Sequence, residues 1–162
     1  MNIQTRDKQF RQLIDESLPK LRGMAYRILK NAADTDDAIQ EALIKAYMRF
    51  DTFKNQAAFS SWVCRIVMSC SYDLLRKKIR ERKALEDYNP DEEQRQDTTA
   101  LEEAIAELPE PYRDAITFGV LSGMDGNAAA EMLGISPNTL YQRVFKAKQM
   151  LKNALNSKEV AQ

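Results

Sequence analysis

Histidine is missing altogether from the 162 residues, and cysteine occurs only as Cys64 and Cys70. Without histidine there is no Ser-His-Asp or Cys-His nucleophile, no imidazole switch near neutral pH and no His-containing zinc site. Two thiols cannot complete a four-ligand zinc site. Spaced as they are along a helical segment, they also point in poor directions for a disulfide, so they read as small buried residues of a reducing compartment. No apolar run of about 18 residues is present, and the N-terminus is polar rather than signal-like, which predicts a soluble cytoplasmic protein. An excess of charge of either sign is lacking too: 24 lysines and arginines balance 24 aspartates and glutamates. A zero total argues at first against a nucleic-acid partner.

Divided by segment, the balance disappears. Residues 51–80 carry six basic side chains against two acidic, residues 81–98 three against seven, and residues 99–119 one against five. Between Arg65 and Lys83 seven basic residues face only Asp73 and Glu81. Between Met132 and Ser157 stand Arg143, Lys146, Lys148 and Lys152 with no acid at all. Two cationic surfaces therefore flank an acidic middle.

Glycine and proline are scarce, strand-like alternation is missing, and apolar residues recur at helical spacing throughout. Phe10, Leu13, Ile14, Leu18, Leu21, Ala25, Ile28 and Leu29 make one stripe, with Pro19 marking a break or restart. Asp34 is placed to cap the next helix, whose inner face is Ala38, Ile39, Ala42, Leu43, Ala46, Tyr47 and Phe50. A loop at 51–59 follows, then Ser60 or Ser61 caps a long helix with Trp62, Val63, Ile66, Val67, Cys70 and Leu74 inward and a solvated basic end, Arg76–Lys83. Residues 86–98 hold almost nothing apolar and read as a linker. A second helical group carries Leu101, Ala104, Ile105 and Leu108, and another helix starts at Pro111. The chain thus reads as all-α: two small helical domains, 1–84 and 99–157, an acidic linker at 85–98 and a tail at 158–162.

The segment Gly123–Leu151 is the most informative. Asp125 is positioned to cap a short helix ending at Leu133, and Gly134 follows where a left-handed residue is wanted. Ser136 caps a new helix with Pro137 at its first position. Short helix, glycine turn and second helix is the helix-turn-helix layout. Leu140, Val144, Ala147 and Leu151 face inward, which leaves Asn138, Thr139, Tyr141, Gln142, Arg143 and Lys146 outward. Gln and Asn pair with adenine edges, Arg with guanine, and lysines with phosphate. In the first half, an acid-capped helix at Asp34–Tyr47 precedes a helix mixing aromatic and basic residues at Phe59–Arg80, a composition suited to unstacked bases.

The whole arrangement resembles a bacterial RNA polymerase sigma factor of the extracytoplasmic-function group, sigma-70 family. The resemblance rests on Asp34, Asp36, Asp37, Gln40 and Glu41, then Phe59, Trp62, Val63 and Ile66, then Asp73 and Arg76. In the second half it rests on Leu108, Pro109, Tyr112 and Arg113, then Gly123 and Met124, then Thr139, Leu140, Arg143, Lys146 and Ala147. Ser69 stands where the family usually has asparagine. Gly126, Asn127 and Ala128 replace its usual aromatic and acidic opening of the helix-turn-helix.

The resemblance implies a specificity subunit without catalytic residues, cofactor or metal. Its implied partners are core RNA polymerase (the clamp of the largest subunit and the beta flap), promoter DNA and an anti-sigma factor. Asp36, Asp37, Gln40 and Glu41 would meet the clamp. Phe53, Lys54, Asn55, Phe59, Trp62, Arg65, Ser69, Asp73, Arg76, Lys77 and Arg80 would serve the minus-ten element. Ser136, Asn138, Thr139, Tyr141, Gln142, Arg143 and Lys146 would serve the minus-thirty-five element. Of two other readings, a dimeric helix-turn-helix repressor leaves the Asp34–Arg80 constellation idle, and a helical protein-binding adaptor predicts no promoter-dependent transcription.

Overall fold

A computed structural model describes residues 2–53, 58–88 and 99–160. Among them are seven α-helices and no strand, as helical spacing demanded. The chain divides into two compact units, Met1–Lys77 and Lys78–Gln162, with the division inside one long helix.

In the first unit, α1 (Ile3–Leu29) packs along α2 (Ala32–Arg49). α1 runs straight through Pro19, which the sequence marks as a break. Pro19 is exposed, so the carbonyl it deprives of a bond is left to water. The buried stripe Ile14, Leu21, Ala25 and Leu29 spans it and packs both halves into the core. α2 is capped by Asn31, whose Oδ1 accepts the Asp34 backbone N–H at 2.9 Å. Asp34, expected as the cap, lies instead in the first turn, where its charge suits the helix dipole. The two helices are tied at one end by Arg6. Its guanidinium donates to the Tyr47 carbonyl at 2.7 Å, lies 4.3 Å from the Tyr47 ring centre and pairs with Asp51 at 2.9 Å.

A single 3-10 turn, Phe50–Thr52, follows α2 and ends at Phe53. α3 (Phe59–Tyr88) then begins at Phe59, with Ser60 and Ser61 already inside its first turn rather than capping it. Burial anchors this start: Phe59 lies edge-on to Phe10, Phe50 and Phe53 at 5.8–6.2 Å between ring centres. Its helix also continues to Tyr88, beyond the expected end near Lys83 and into the expected 85–98 linker, whose residues 89–98 lie outside the described ones.

In the second unit, α4 (Ala100–Ala106) opens with a capping box. The Thr99 hydroxyl accepts the Glu102 N–H at 3.2 Å, and the Glu102 carboxylate accepts the Thr99 N–H at 3.0 Å. Of its expected apolar stripe, Leu101 is exposed while Ala104, Ile105 and Leu108 are buried. Glu103 is buried and bound by Arg82, with Lys83 at 3.6 Å and Lys158 at 3.7 Å. The end of α3 is therefore not merely solvated: Arg82 satisfies a carboxylate that could not otherwise be buried. α5 (Glu110–Ile116) passes into a π turn, Thr117–Leu121, that the sequence did not signal. At Gly119 a Cβ would come within 3.1 Å of Val144 and 3.3 Å of Leu140, so the missing side chain lets this turn sit close on the last helix.

α6 (Gly126–Leu133) follows Asp125, which holds the N-cap position but makes no side-chain bond; the exposed helix start is left to water. Gly134 adopts φ +67°, as the turn requires, and α7 (Pro137–Val160) begins after Ser136, whose Oγ accepts the Thr139 N–H at 3.1 Å. α4, α5, α6 and the π turn all pack on α7 through Leu140, Ala147 and Leu151.

Candidate functional site

Three outward faces emerge from this packing. On α2, burial of Ala38, Ile39, Ala42 and Ala46 turns Asp37, Gln40 and Glu41 to solvent. Asp36 is half-buried and bound to Arg22 of α1, so it serves the helix pair. Glu41 pairs with Lys45 at 2.6 Å, and this hydrogen bond raises the lysine above its ordinary titration range. Continuing the same stripe, Ile44 is 61% and Met48 is 74% exposed. A helix that shows two large apolar side chains to water one turn apart offers a contact surface. Both were absent from the expected set. Their signal was available: they fall at the positions that continue Asp37 and Glu41, outside the inward stripe.

The second face starts at Phe53. Phe53 is half-buried and stacks on Trp62 with ring centres 4.7 Å apart and planes 20° apart. Trp62 is half-buried, so its ring is shared between packing and surface. Phe59 lies beneath, buried, and supports the corner without offering a face of its own. Lys54 and Asn55 lie outside the described residues. Down α3, Arg65, Ser69, Asp73 and Arg76 share one face at spacings of four, four and three. Arg65 and Asp73 are exposed, Ser69 and Arg76 half-buried, and Arg76 binds Asp73 in an i,i+3 pair. Lys77 is exposed; Arg80, also exposed, lies in the second unit's part of α3. Cys64 and Cys70 sit on the inner side, free and buried, and burial pushes both thiols up.

The third face is the start of α7. Asn138, Tyr141, Gln142 and Lys146 are exposed, Thr139 and Arg143 half-buried, and Ser136 is spent on the cap. Tyr141 is 72% exposed, and Phe145, one turn on, is 56% exposed. Phe145 was also missing from the expected set. It stands one position beyond the inward Val144, where outward aromatics are easily taken for core. Lys146 Nζ lies 5.3 Å from the centre of the Tyr112 ring on α5. Behind this face Arg113 is buried and paired with Asp114 at 3.2 Å. A polar and aromatic helix start of this width, with a cationic continuation, fits the edges and phosphates of a major groove.

Among the described residues no three His, Cys, Asp or Glu side chains gather as a metal site, and no helix is long and apolar enough to cross a membrane.

Comparison with known proteins gives two family matches: residues 13–81 to Sigma-70 region 2 and residues 98–151 to Sigma-70, region 4. The first match ends within α3 and the second covers the helix-turn-helix. The chain is 31% identical over 150 residues to the ECF RNA polymerase sigma factor SigM of Mycobacterium tuberculosis, covering 90% of this chain and 76% of that one. It is 26% identical over 142 residues to the RNA polymerase sigma factor SigV of Bacillus subtilis, covering 85% and 86%. Among solved structures, the sigma factor RpoE of Bartonella quintana, in complex with the anti-sigma factor NepR, is similar with a TM-score of 0.53 and 26% identity, over 92% of this chain and 98% of that one.

Proposed function

Since the chain belongs to the extracytoplasmic-function group of the sigma-70 family of RNA polymerase sigma factors, we propose a division of the promoter-directing work among its three outward faces. The α2 stripe docks on the clamp of the polymerase's largest subunit. Asp37, Gln40 and Glu41 supply the polar part, and Ile44 and Met48 bury apolar surface, each contributing about 1–3 kcal/mol on full burial. The exposure of those two side chains is the observation that carries this assignment.

The corner of Phe53 and Trp62, with the loop after it, receives unstacked bases of the minus-ten element. Stacking on an aromatic ring is worth about 1–3 kcal/mol per base, and this offsets part of the cost of melting. Arg65, Arg76, Lys77 and Arg80 approach the backbone of the same region, as their exposure and charge suit. The start of α7 lies in the major groove at the minus-thirty-five element, where Asn138, Gln142 and Arg143 reach base edges and Tyr141 and Phe145 meet apolar base surface. The second unit docks on the beta flap. Catalysis belongs to the polymerase, and the protein acts in the cytoplasm. An anti-sigma factor is a further partner, by likeness to the Bartonella complex.

The clamp assignment is tested by Ile44→Ser with Met48→Ser. Both positions are exposed, so the fold should hold. Affinity for core polymerase, measured by fluorescence anisotropy, should fall at least tenfold with the melting temperature unchanged. Unaltered affinity would remove this face from the polymerase.

A further inference from the structure

The ammonium of Lys146 stands over the face of the Tyr112 ring, 5.3 Å from its centre. The two residues come from different helices. Tyr112 is in the first turn of α5, half-buried, and its place is fixed because Pro109 sets the helix start and its carbonyl accepts the Tyr112 N–H at 3.0 Å. Lys146 is exposed on α7, one turn beyond Gln142 and beside Phe145. A cation this close to a ring centre is held by the ring's negative face.

A lysine needs such a hold more than an arginine does. Its four-carbon stem has many rotamers, and its compact charge has no planar fork to orient it. A carboxylate would restrain it equally well, but would also cancel its charge and repel phosphate. The stretch from Met132 to Ser157 contains no acid. An aromatic ring orders the ammonium while leaving its whole charge available to a polyanion.

We infer that Tyr112 is a positioning residue for DNA recognition: it holds the Lys146 ammonium at the rim of the α7 face, ready for a backbone phosphate, without touching DNA itself. This rests on the reading of α7 as the helix that enters the groove. It adds a residue from outside the helix-turn-helix to that interface. Ordering is supplied before binding, so the contact with phosphate costs less entropy when it forms.

The test replaces Tyr112 in the full-length chain with phenylalanine and with phenylalanines carrying successively more ring fluorines. This drains the ring's negative face while keeping its shape, so the fold is preserved. Affinity for a labelled nonspecific 20-base-pair duplex is measured from about 50 to 200 mM salt, the range in which phosphate contacts show. Phenylalanine should match tyrosine. Affinity should then fall stepwise with fluorine, about two- to fivefold in all, the size of an exposed cation–ring contact. The slope of log affinity on log salt should stay constant, because no phosphate contact is lost. In a Lys146→Met background the fluorine series should be flat, and Lys146→Met itself should reduce the slope by about 0.9.

A flat series in the parent protein overturns the inference. So does an equal decline in the Lys146→Met background, which would mean that the ring acts through other neighbours. If Lys146→Met changes neither affinity nor slope, the reading of Lys146 as a DNA contact fails and takes the positioning role with it.

Discussion

Cys64 and Cys70 show how burial decides chemistry at the scale of one residue. Both thiols are pushed above the ordinary value of 9.0, first of all by burial, so at neutral pH they stay protonated and unreactive. The folded chain holds these protons more tightly than the unfolded chain does. The stability this represents is present below the ordinary thiol range and is lost as pH rises through and beyond it. Between about pH 7 and about pH 9.5 the melting temperature should therefore fall less in a Cys64→Ala, Cys70→Ala variant than in the parent protein, whatever the variant's starting point. Iodoacetamide should label the native thiols slowly and the unfolded ones readily. Fast native labelling would contradict their burial. The sequence made these residues legible because small apolar-facing cysteines have few alternatives. Ile44, Met48 and Phe145 fall off the inward stripes of their helices, but that they stand open to water shows only once the neighbouring elements are placed.

At the scale of the element, helical spacing revealed where helices run but not how each one starts or bends. α1 passes Pro19 because tertiary burial on both sides outweighs one lost hydrogen bond, a balance that local pattern does not contain. α2 takes its cap from Asn31 although Asp34 is as good a capping residue, and three residues of register decide between them. The π turn at Thr117–Leu121 owes its place to the close seat of Gly119 on α7, a long-range contact. The turn of the helix-turn-helix was legible, because it depends on local conformation: Gly134 adopts φ +67° and Ser136 caps the next helix.

That difference predicts a contrast between two glycines, each with nothing within 4 Å of an added Cβ. Gly134→Ala should cost about 1–2 kcal/mol, from left-handed strain alone. Gly126→Ala, at a helix start without positive φ, should be neutral or stabilise by up to about 1 kcal/mol. Chemical denaturation of both variants gives the comparison, and equal effects would show that backbone strain at the turn is not the cause.

For the whole molecule, 24 positive and 24 negative side chains amount to an arrangement rather than an absence of charge. The arginines and lysines of α3 and α7 lie on outward faces, except where Arg82 is drawn onto buried Glu103. The acids gather in α2, in residues 86–98 and along α4 and α5. Both halves of the chain match sigma-70 regions, the first region 2 and the second region 4. Its activity should consequently exist only in combination with core polymerase.

The direct measurement is transcription of genomic DNA by core RNA polymerase with and without the protein, with the 5′ ends of the transcripts sequenced. The sigma role predicts a limited set of new start sites, each preceded by the same pair of elements near minus ten and minus thirty-five. Those starts should be lost with the Ile44→Ser, Met48→Ser variant. Start sites no different from those of core polymerase alone would contradict it.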